Sequence, residues 1–241
     1  MAEPTLSMTF KDLYEEVGFY LYQSYTLTDS QKTTAQRYVN IGYSEFLLER
    51  KWSFLLPESE LSVTEDDEST DLPDNFGRIA DGRIYHDAAM SEVCAVECSA
   101  SYLRSLRTAS NELTGTPTHF AIVPKTPAAT GQRYEVMWHP IPDEDMTFYW
   151  THEVRPNKLS SDGDYPVGGL HHDATLLAAS LRVAERMSGR TQGVHANHYE
   201  RMLARSIERD KDASTQTRRK DIGAPIGFYD SISRISGDVT H

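Results

Sequence analysis

The chain has 241 residues, of which 39% are hydrophobic and 25% charged, and its formal net charge is −12. This length holds one large domain or two small ones, and the composition is that of a globular protein. The acidic balance argues against a protein whose main task is to grip a phosphate backbone, because that task requires clustered Lys and Arg. Eight carboxylates lie between residues 58 and 74 with no Lys or Arg among them.

The cysteines and the apolar segments exclude further classes. Cys94 and Cys98 are four residues apart and have no second pair to complete a zinc site, so we interpret them as reduced and structural. The opening segment MAEPTLSMTFKDLYEE lacks the charged and apolar regions of a secretory signal. No apolar run approaches the length that spans a bilayer. We therefore expect synthesis in a cytoplasm and no membrane partner.

Two helices are predicted at the start of the chain. Thr9 can cap a helix that reaches about residue 24 and is rich in Tyr. Two interpretations of these tyrosines stay open: packing inside a bundle, or a contact face for another subunit that includes Tyr14 and Tyr22. In the next helix Thr28 and Gln31 have the spacing of a capping box. Apolar residues then recur at three- and four-residue steps, namely Ala35, Tyr38, Val39, Gly42, Phe46 and Leu47.

The second helical pattern breaks down into an apolar run that ends at Pro57. Within this run, Trp52 and Phe54 are predicted to form a hydrophobic joint between the helices and the part of the chain that follows. We expect this joint to set an angle between two parts of the protein, and we expect no catalytic role for it.

Between residues 58 and 154 the apolar residues alternate, which predicts strands. Asp81 and Gly82 separate two short β-prone runs and predict a hairpin. One strand is predicted over residues 118–123, and a second hairpin joins residues 133–139 to residues 147–154. A helix is predicted near residues 99–111. Together these segments predict a small β-rich domain.

A helical period returns after a loop rich in Gly and Pro. One helix carries a predicted apolar stripe of Leu170, Ala174, Leu177, Leu181, Ala184 and Met187. The last helix is predicted over residues 194–212, with Arg201, Arg205 and Arg209 at four-residue steps. The predicted fold class is therefore α+β: an antiparallel helical bundle (9–56 and 168–212), an inserted β-rich domain (57–167) and an extended C-terminal arm (213–241).

The predicted arm contains a basic triplet and scattered apolar anchors. The triplet is Arg218, Arg219 and Lys220, and the first anchors are Ile222, Ile226, Phe228 and Tyr229. One interpretation is a disordered terminus. The anchors favour the other, an arm that becomes ordered when it lies on a partner, because a purely solvating tail has few aromatic and β-branched residues.

The sequence contains no nucleophile elbow, phosphate-binding loop or zinc-protease helix motif. One alternative is a metal-dependent hydrolase that uses His171, His172 and Asp173 with His195 and His198. Adjacent histidines on a helix point about 100° apart, so surface or capping roles are favoured. The other alternative is a carbohydrate- or receptor-binding virion module. It would use Trp138 and Trp150 as stacking platforms, although alternating aromatics favour a core. We predict no catalytic residue, metal or cofactor.

Four segments together resemble the head-to-tail connector (adaptor) proteins of tailed bacteriophages, as in the gatekeeper or tubular tail proteins of short-tailed phages. The resemblance covers residues from about 30 to 210 and rests on the order and spacing of the segments. They are RKWSFL (50–55), LPDNFGR (72–78), GQRYEV (131–136) with the PIP at 140–142, and YPVGGL (165–170) leading to Ala184 and Glu185.

The resemblance implies a structural virion protein and no enzymatic activity. Proteins of that class form a ring, usually of twelve subunits, beneath the portal protein, where they extend the DNA channel and receive the tail or the next neck protein. The implied location is the neck of the virion, after synthesis in the host cytoplasm. DNA would pass through the ring without specific binding. The C-terminal segment commonly reaches the portal, and the Arg201, Arg205 and Arg209 row is a candidate for contact between subunits.

Overall fold

A computed structural model describes residues 6–110, 113–126, 131–189 and 193–221, except for the side chains of residue 110 and residues 214–221. The helices are α1 (Phe10–Tyr22), α2 (Asp29–Leu48), α3 (Ala100–Ser110), α4 (Asp173–Met187) and α5 (Val194–Asp221). The strands are β1 (Glu58–Val63), β2 (Ser69–Asp71), β3 (Phe76–Ile79), β4 (Arg83–Tyr85), β5 (Val93–Glu97), β6 (His119–Pro124), β7 (Tyr134–His139) and β8 (Met146–Val154). Short 3-10 turns occupy Ser53–Leu55 and Gly169–His171.

The fold is mixed α+β, and the predicted helical bundle with an inserted β-rich domain is wrong. Eight strands form one nearly closed, barrel-like sheet in the order β1-β8-β4-β5-β6-β7-β2, with β3 also paired to β8. This sheet has its own core, which includes Phe76, Trp138 and Phe148. The pairing joins strands that are distant in the chain, so the alternation within each strand could not reveal one large sheet. The predicted domain boundaries stay a prediction.

The first two helices begin where their caps were predicted. The Thr9 side chain accepts from the backbone N–H of Asp12, and the Asp12 side chain accepts in return from the backbone of Thr9. Thr28 and Gln31 form the same reciprocal pair at the start of α2. The predicted Thr28–Gln31 capping box and the predicted cap at Thr9 are confirmed, because both depend only on residues three positions apart.

Helix α2 packs directly on the backbone of α4. A Cβ atom added to Gly42 would lie 2.7 Å from the Cα atom of Ser180 and 2.9 Å from the carbonyl carbon of Ala179. The small side chains of Ala178, Ala179 and Ser180 are buried at this contact. The close approach of the two helices therefore depends on small residues on both sides.

The predicted stripe on α4 is partly wrong: Ala184 is buried and Leu177 and Leu181 pack against the core that the helices share, but the other three positions are exposed. Leu170 and Met187 are 44% and 48% exposed, and Ala174 is exposed too. The most deeply buried positions are instead on a broader face that includes Leu176 and Val183. Helix α4 contacts α1, α2 and α5, so it is buried over a wide angle and not along one stripe.

Neither predicted hairpin forms. Strands β3 and β4 do not pair with each other, because both pair with β8 and follow each other along the same edge of it. Gly82, with a φ of 69°, lies between them. Strand β7 lies between β6 and β2, and β8 lies between β1 and β4, so β7 and β8 are not partners either. The predicted alternation is confirmed, since Trp138 and Trp150 both face the core.

Helices α1, α2, α4 and α5 share a second core, which contains Phe10, Val39, Phe46 and Trp52. Helix α5 continues to Asp221. The backbone of residues 213–221 is thus helical, where the sequence predicted an extended arm. In the described part of the chain, no helix has both the length and the hydrophobicity needed to cross a membrane.

Candidate functional site: the joint at Trp52

Trp52 lies where the chain leaves α2, and its side chain is fully buried. Its indole Nε1 donates to the carbonyl oxygen of Phe46 at 3.0 Å, so the buried N–H is paired. The rings of Phe46 and Phe54 lie 4.6 and 5.5 Å from the indole ring. We call this aromatic cluster, together with His172, the joint.

His172 closes the joint from the N-terminus of α4. Its ring lies 5.0 Å from that of Phe54 and 5.3 Å from that of Trp52. Burial lowers the pKa of His172, and the nearby negative charge of Asp210 opposes this shift without reversing it. Gly168 makes room for the contact, because a Cβ atom there would lie 3.2 Å from the Phe54 ring. The sequence favoured a surface or capping role for His172 over that of a metal ligand. In the structure His172 is the N-cap residue of α4, but its ring is buried in the packing of the joint.

Asp210 of α5 ties that helix to the joint. Its Oδ1 accepts from the backbone N–H of Ser53 at 2.9 Å and from the Ser53 hydroxyl at 2.5 Å. Its Oδ2 forms an ion pair of 3.2 Å with Arg50, and the carboxylate side chain is only 3% exposed. A buried carboxylate requires such partners. Sequence reasoning missed Asp210; the signal for it was its place on the same face of α5 as Tyr199 and Ser206.

A second polar contact joins α4 to α5. The hydroxyls of Thr175 and Ser206 lie 2.6 Å apart, and both side chains are buried. Thr175 Oγ1 also lies 3.2 Å from the carbonyl oxygen of Met202, to which it donates. Together with Asp210, this contact fixes the rotation of α5 about its own axis. The joint is therefore suited to holding α4 and α5 in a fixed orientation relative to the segment that follows α2.

The histidine sets do not assemble into a metal centre. Among the residues that the structure describes, no group of three His, Cys, Asp or Glu side chains is arranged to hold a metal ion. His171 is exposed, and His198 is exposed on α5. His195 packs edge-on against Tyr20, with ring centroids 4.7 Å apart.

Comparison with known protein families identifies the chain. A family model described as SU10 adaptor protein matches residues 8–221. The match spans α1 to α5 and all eight strands, including the joint. The chain belongs to the SU10 adaptor protein family.

This family consists of phage head-to-tail adaptors, so the resemblance found in the sequence is confirmed. The adaptor is accordingly a structural component of a phage virion, and its family associates with portal and tail proteins. No match to the chain was found among curated proteins.

Some of the residues predicted to contact neighbouring adaptor subunits are exposed, and others are engaged within the subunit. Arg201 and Arg205 are exposed on α5, while Arg209 donates to the carbonyl oxygen of His171 at 2.8 Å. Tyr22 is 36% exposed at the end of α1. Tyr14 is only 3% exposed, and its hydroxyl donates to Asp162 Oδ1 at 3.0 Å. Burial raises the pKa of Tyr14, which keeps this hydroxyl protonated as a donor.

Two acidic runs that are separate in the adaptor sequence meet in space. The backbone N–H of Asp66 donates to the carbonyl oxygen of Pro142 at 2.9 Å, and that of Glu65 donates to Asp145 Oδ1 at 2.9 Å. We call this exposed surface the acidic knob; it consists of Glu65, Asp66, Asp67, Glu68, Asp143, Glu144 and Asp145. The two halves are about 75 residues apart in the chain, so the sequence does not reveal that they meet.

The two tryptophans and the C-terminal residues that the sequence singled out are accounted for as follows in the fold. The indoles of Trp138 and Trp150 are 0% and 1% exposed, which excludes them as stacking platforms for a carbohydrate or a receptor. The backbone of Arg218, Arg219 and Lys220 belongs to the last turns of α5, and their side chains lie outside the described residues. The anchors lie outside the described residues altogether, namely Ile222, Ile226, Phe228 and Tyr229.

Proposed function

We propose that the adaptor forms a ring beneath the portal protein, extends the DNA channel and provides the platform on which the tail is attached. The observation that carries this proposal is the family match over residues 8–221, which includes every described helix and strand. The proposed ring has twelve subunits. Neighbours in such a ring meet through unlike faces, so each subunit needs two different contact surfaces.

The charge of the adaptor suits a passage for DNA. A channel wall that bound phosphates tightly would slow the passage of DNA, whereas acidic or neutral walls let it slide. The net charge of −12 supports a channel of this kind.

We assign portal docking to the C-terminal segment. Helix α5 has 28 residues, which corresponds to a length of about 42 Å. It is fixed to the joint at Asp210 and continues to Asp221, so it would carry the basic triplet of residues 218–220 away from the joint. The anchors Ile222, Ile226, Phe228 and Tyr229 follow directly and would contact the portal. Arg201, Arg205 and Tyr22 are proposed to face neighbouring subunits.

Co-expression with the portal protein of the same phage tests the proposal. Size-exclusion chromatography should recover one complex, and negative-stain microscopy should show a ring of adaptor subunits added to one end of the portal. A solution monomer would agree with assembly on the portal as a template. Failure of the adaptor to bind the portal at any salt concentration would refute the function.

A truncation separates docking from ring formation. Removing residues 222–241 leaves every described element in place, so the truncated adaptor should fold with an unchanged circular dichroism spectrum. Its binding to the portal should fall at least tenfold. The matched control replaces Arg218, Arg219 and Lys220 with Ala in the full chain and should lower binding less. Unchanged binding of the truncated adaptor would exclude these residues as the docking segment.

A further inference from the structure

Two clefts beside α2 share part of their lining. Their volumes are ≈ 590 Å³ and ≈ 410 Å³. Asn40, Ser44 and Lys158 line both of them. We call these two clefts the trough. It follows α2 from Gln36 to Leu48, about 18 Å at the helical rise per residue.

The trough carries cations that the folded subunit does not neutralise. Arg37, Arg155 and Lys158 line it and are exposed. In the part of the chain that the structure describes, no carboxylate forms an ion pair with any of the three. We call these three residues the basic patch.

The acids that line the same trough are already in ion pairs. Glu45 bridges Arg182 and Arg186, with both distances 2.6 Å, and Glu153 pairs with Arg78. Leu48 is 82% exposed at the rim of the trough, where it offers an apolar contact beside the charges. The trough therefore presents net positive charge and an exposed apolar side chain on a protein whose total charge is −12.

The acidic residues 143–145 and the basic residue Arg155 lie at opposite ends of β8. Asp143, Glu144 and Asp145 directly precede β8, whereas Arg155 directly follows it. Nine residues of extended chain span about 30 Å. The acidic knob and the basic patch are thus held at opposite ends of β8, too far apart to meet within one subunit. Of the acids in the knob, Glu68 is paired with Arg107.

We propose that the acidic knob of one adaptor subunit docks into the trough of the next, against the basic patch. This inference rests on the proposed ring and names the two unlike surfaces that such a ring requires. Because each subunit carries one surface of each kind at opposite ends of a rigid strand, the contact is head-to-tail. Charge complementarity of this kind fixes the register of docking and weakens as salt rises.

Charge reversal tests the contact in adaptor–portal complexes of the full chain. The patch variant is Arg37→Glu with Lys158→Glu, and the knob variant is Asp66→Lys with Glu144→Lys. Each should reduce the number of adaptor copies retained per portal at least tenfold, measured by mass photometry at low salt. The matched control, Lys51→Glu with Arg104→Glu, changes two exposed cations outside the trough and should retain the wild-type number.

Mixing the two variants gives the decisive result. Patch-variant and knob-variant subunits present complementary charges to each other at both contacts, so an equimolar mixture should restore the wild-type copy number. Circular dichroism of each variant confirms that it is folded before mixing.

Several outcomes would overturn the docking contact. Variants that assemble like the control would overturn it, and so would a mixture that stays unassembled. A patch variant with normal copy number but altered retention of DNA would assign the trough to nucleic acid. A patch variant that self-associates yet leaves the portal would assign it to the portal. Wild-type adaptor that never binds the portal would refute the proposed function itself.

Discussion

The helical core and the core of the sheet are stabilised by different kinds of contact. Directional polar contacts cross the helical core, where Asp210 holds Ser53 and Arg50, and Thr175 meets Ser206. The core of the sheet is aromatic and aliphatic. Within the described part of the chain, both ring nitrogens of His152 and the Nε1 atom of Trp150 have no hydrogen-bond partner, whereas in the helical joint the same holds only for Nδ1 of His172.

This difference indicates how each half obtains its order. Apolar burial has no direction, so the sheet depends on its backbone hydrogen bonds for register. The helices have no such bonds between them, and the buried carboxylate and hydroxyls supply orientation instead. The stability of the helical core is therefore sensitive to substitution, because the loss of one partner leaves a buried charge uncompensated.

Trp52→Ala should have the largest effect. It removes a fully buried indole from the joint and should lower the free energy of unfolding by about 3–5 kcal/mol. Urea denaturation measures this loss. The control is Tyr102→Ala, which removes an aromatic ring that is 49% exposed and should cost far less. An unchanged midpoint for Trp52→Ala would show that the joint does not stabilise the helical core.

Asp210→Ala should cost about 3 kcal/mol, because it leaves Arg50 and the Ser53 N–H without their partner. Asp212→Ala, an exposed position on the same helix, is the matched control and should be nearly neutral. Both are measured by the same denaturation. Equal effects of the two substitutions would contradict the distinction between a locking carboxylate and a solvated one.

Gly42→Ala should cost about 1–3 kcal/mol, because the new methyl group would overlap backbone atoms of α4. Gly163→Ala is the control, since no heavy atom lies within 4 Å of a Cβ atom there. Thermal unfolding of both variants checks the prediction. A Gly42→Ala protein as stable as the control would show that the two helices can move apart freely.

His152→Leu should have the smallest effect, visible in the pH dependence of stability. Burial lowers the pKa of His152, so the unfolded chain takes up a proton at a higher pH than the folded one. Wild-type stability is therefore fully present above the ordinary histidine pKa of about 6.5 and falls as the pH drops below it. The variant should lose less stability between pH 7 and pH 5. An equal loss of stability in the variant and the wild type would contradict this account.

The sequence was most informative where structure depends on near neighbours. The capping boxes at Thr9 and Thr28 involve residues three positions apart, and both helices begin there. Trp52 and Phe54 stood out because they interrupt a helical period, and the structure places both in the helical core. Burial of Trp138 and Trp150 followed from simple alternation.

The errors arose where distant segments decide the outcome. The Asp81-Gly82 turn looked like a hairpin, yet β8 pairs with both flanking strands. The stripe on α4 was misplaced because Ala178, Ala179 and Ser180 are buried by neighbouring helices, and small residues give little periodic signal. Asp210 was missed since an acidic residue on a charged helix predicts exposure, and only Ser53 and Arg50 make its burial favourable.

The central position of β8 affects the order in which the strands of the sheet separate during unfolding. It pairs with β1 along one edge and with β3 and β4 along the other, so separating it would release three strands together. Amide protons in β8 should exchange with deuterium only through global unfolding, whereas the three-residue β2, which pairs with β7, should exchange through local fraying. Hydrogen-exchange mass spectrometry would then show the slowest amides in the strand that separates the acidic knob from the basic patch.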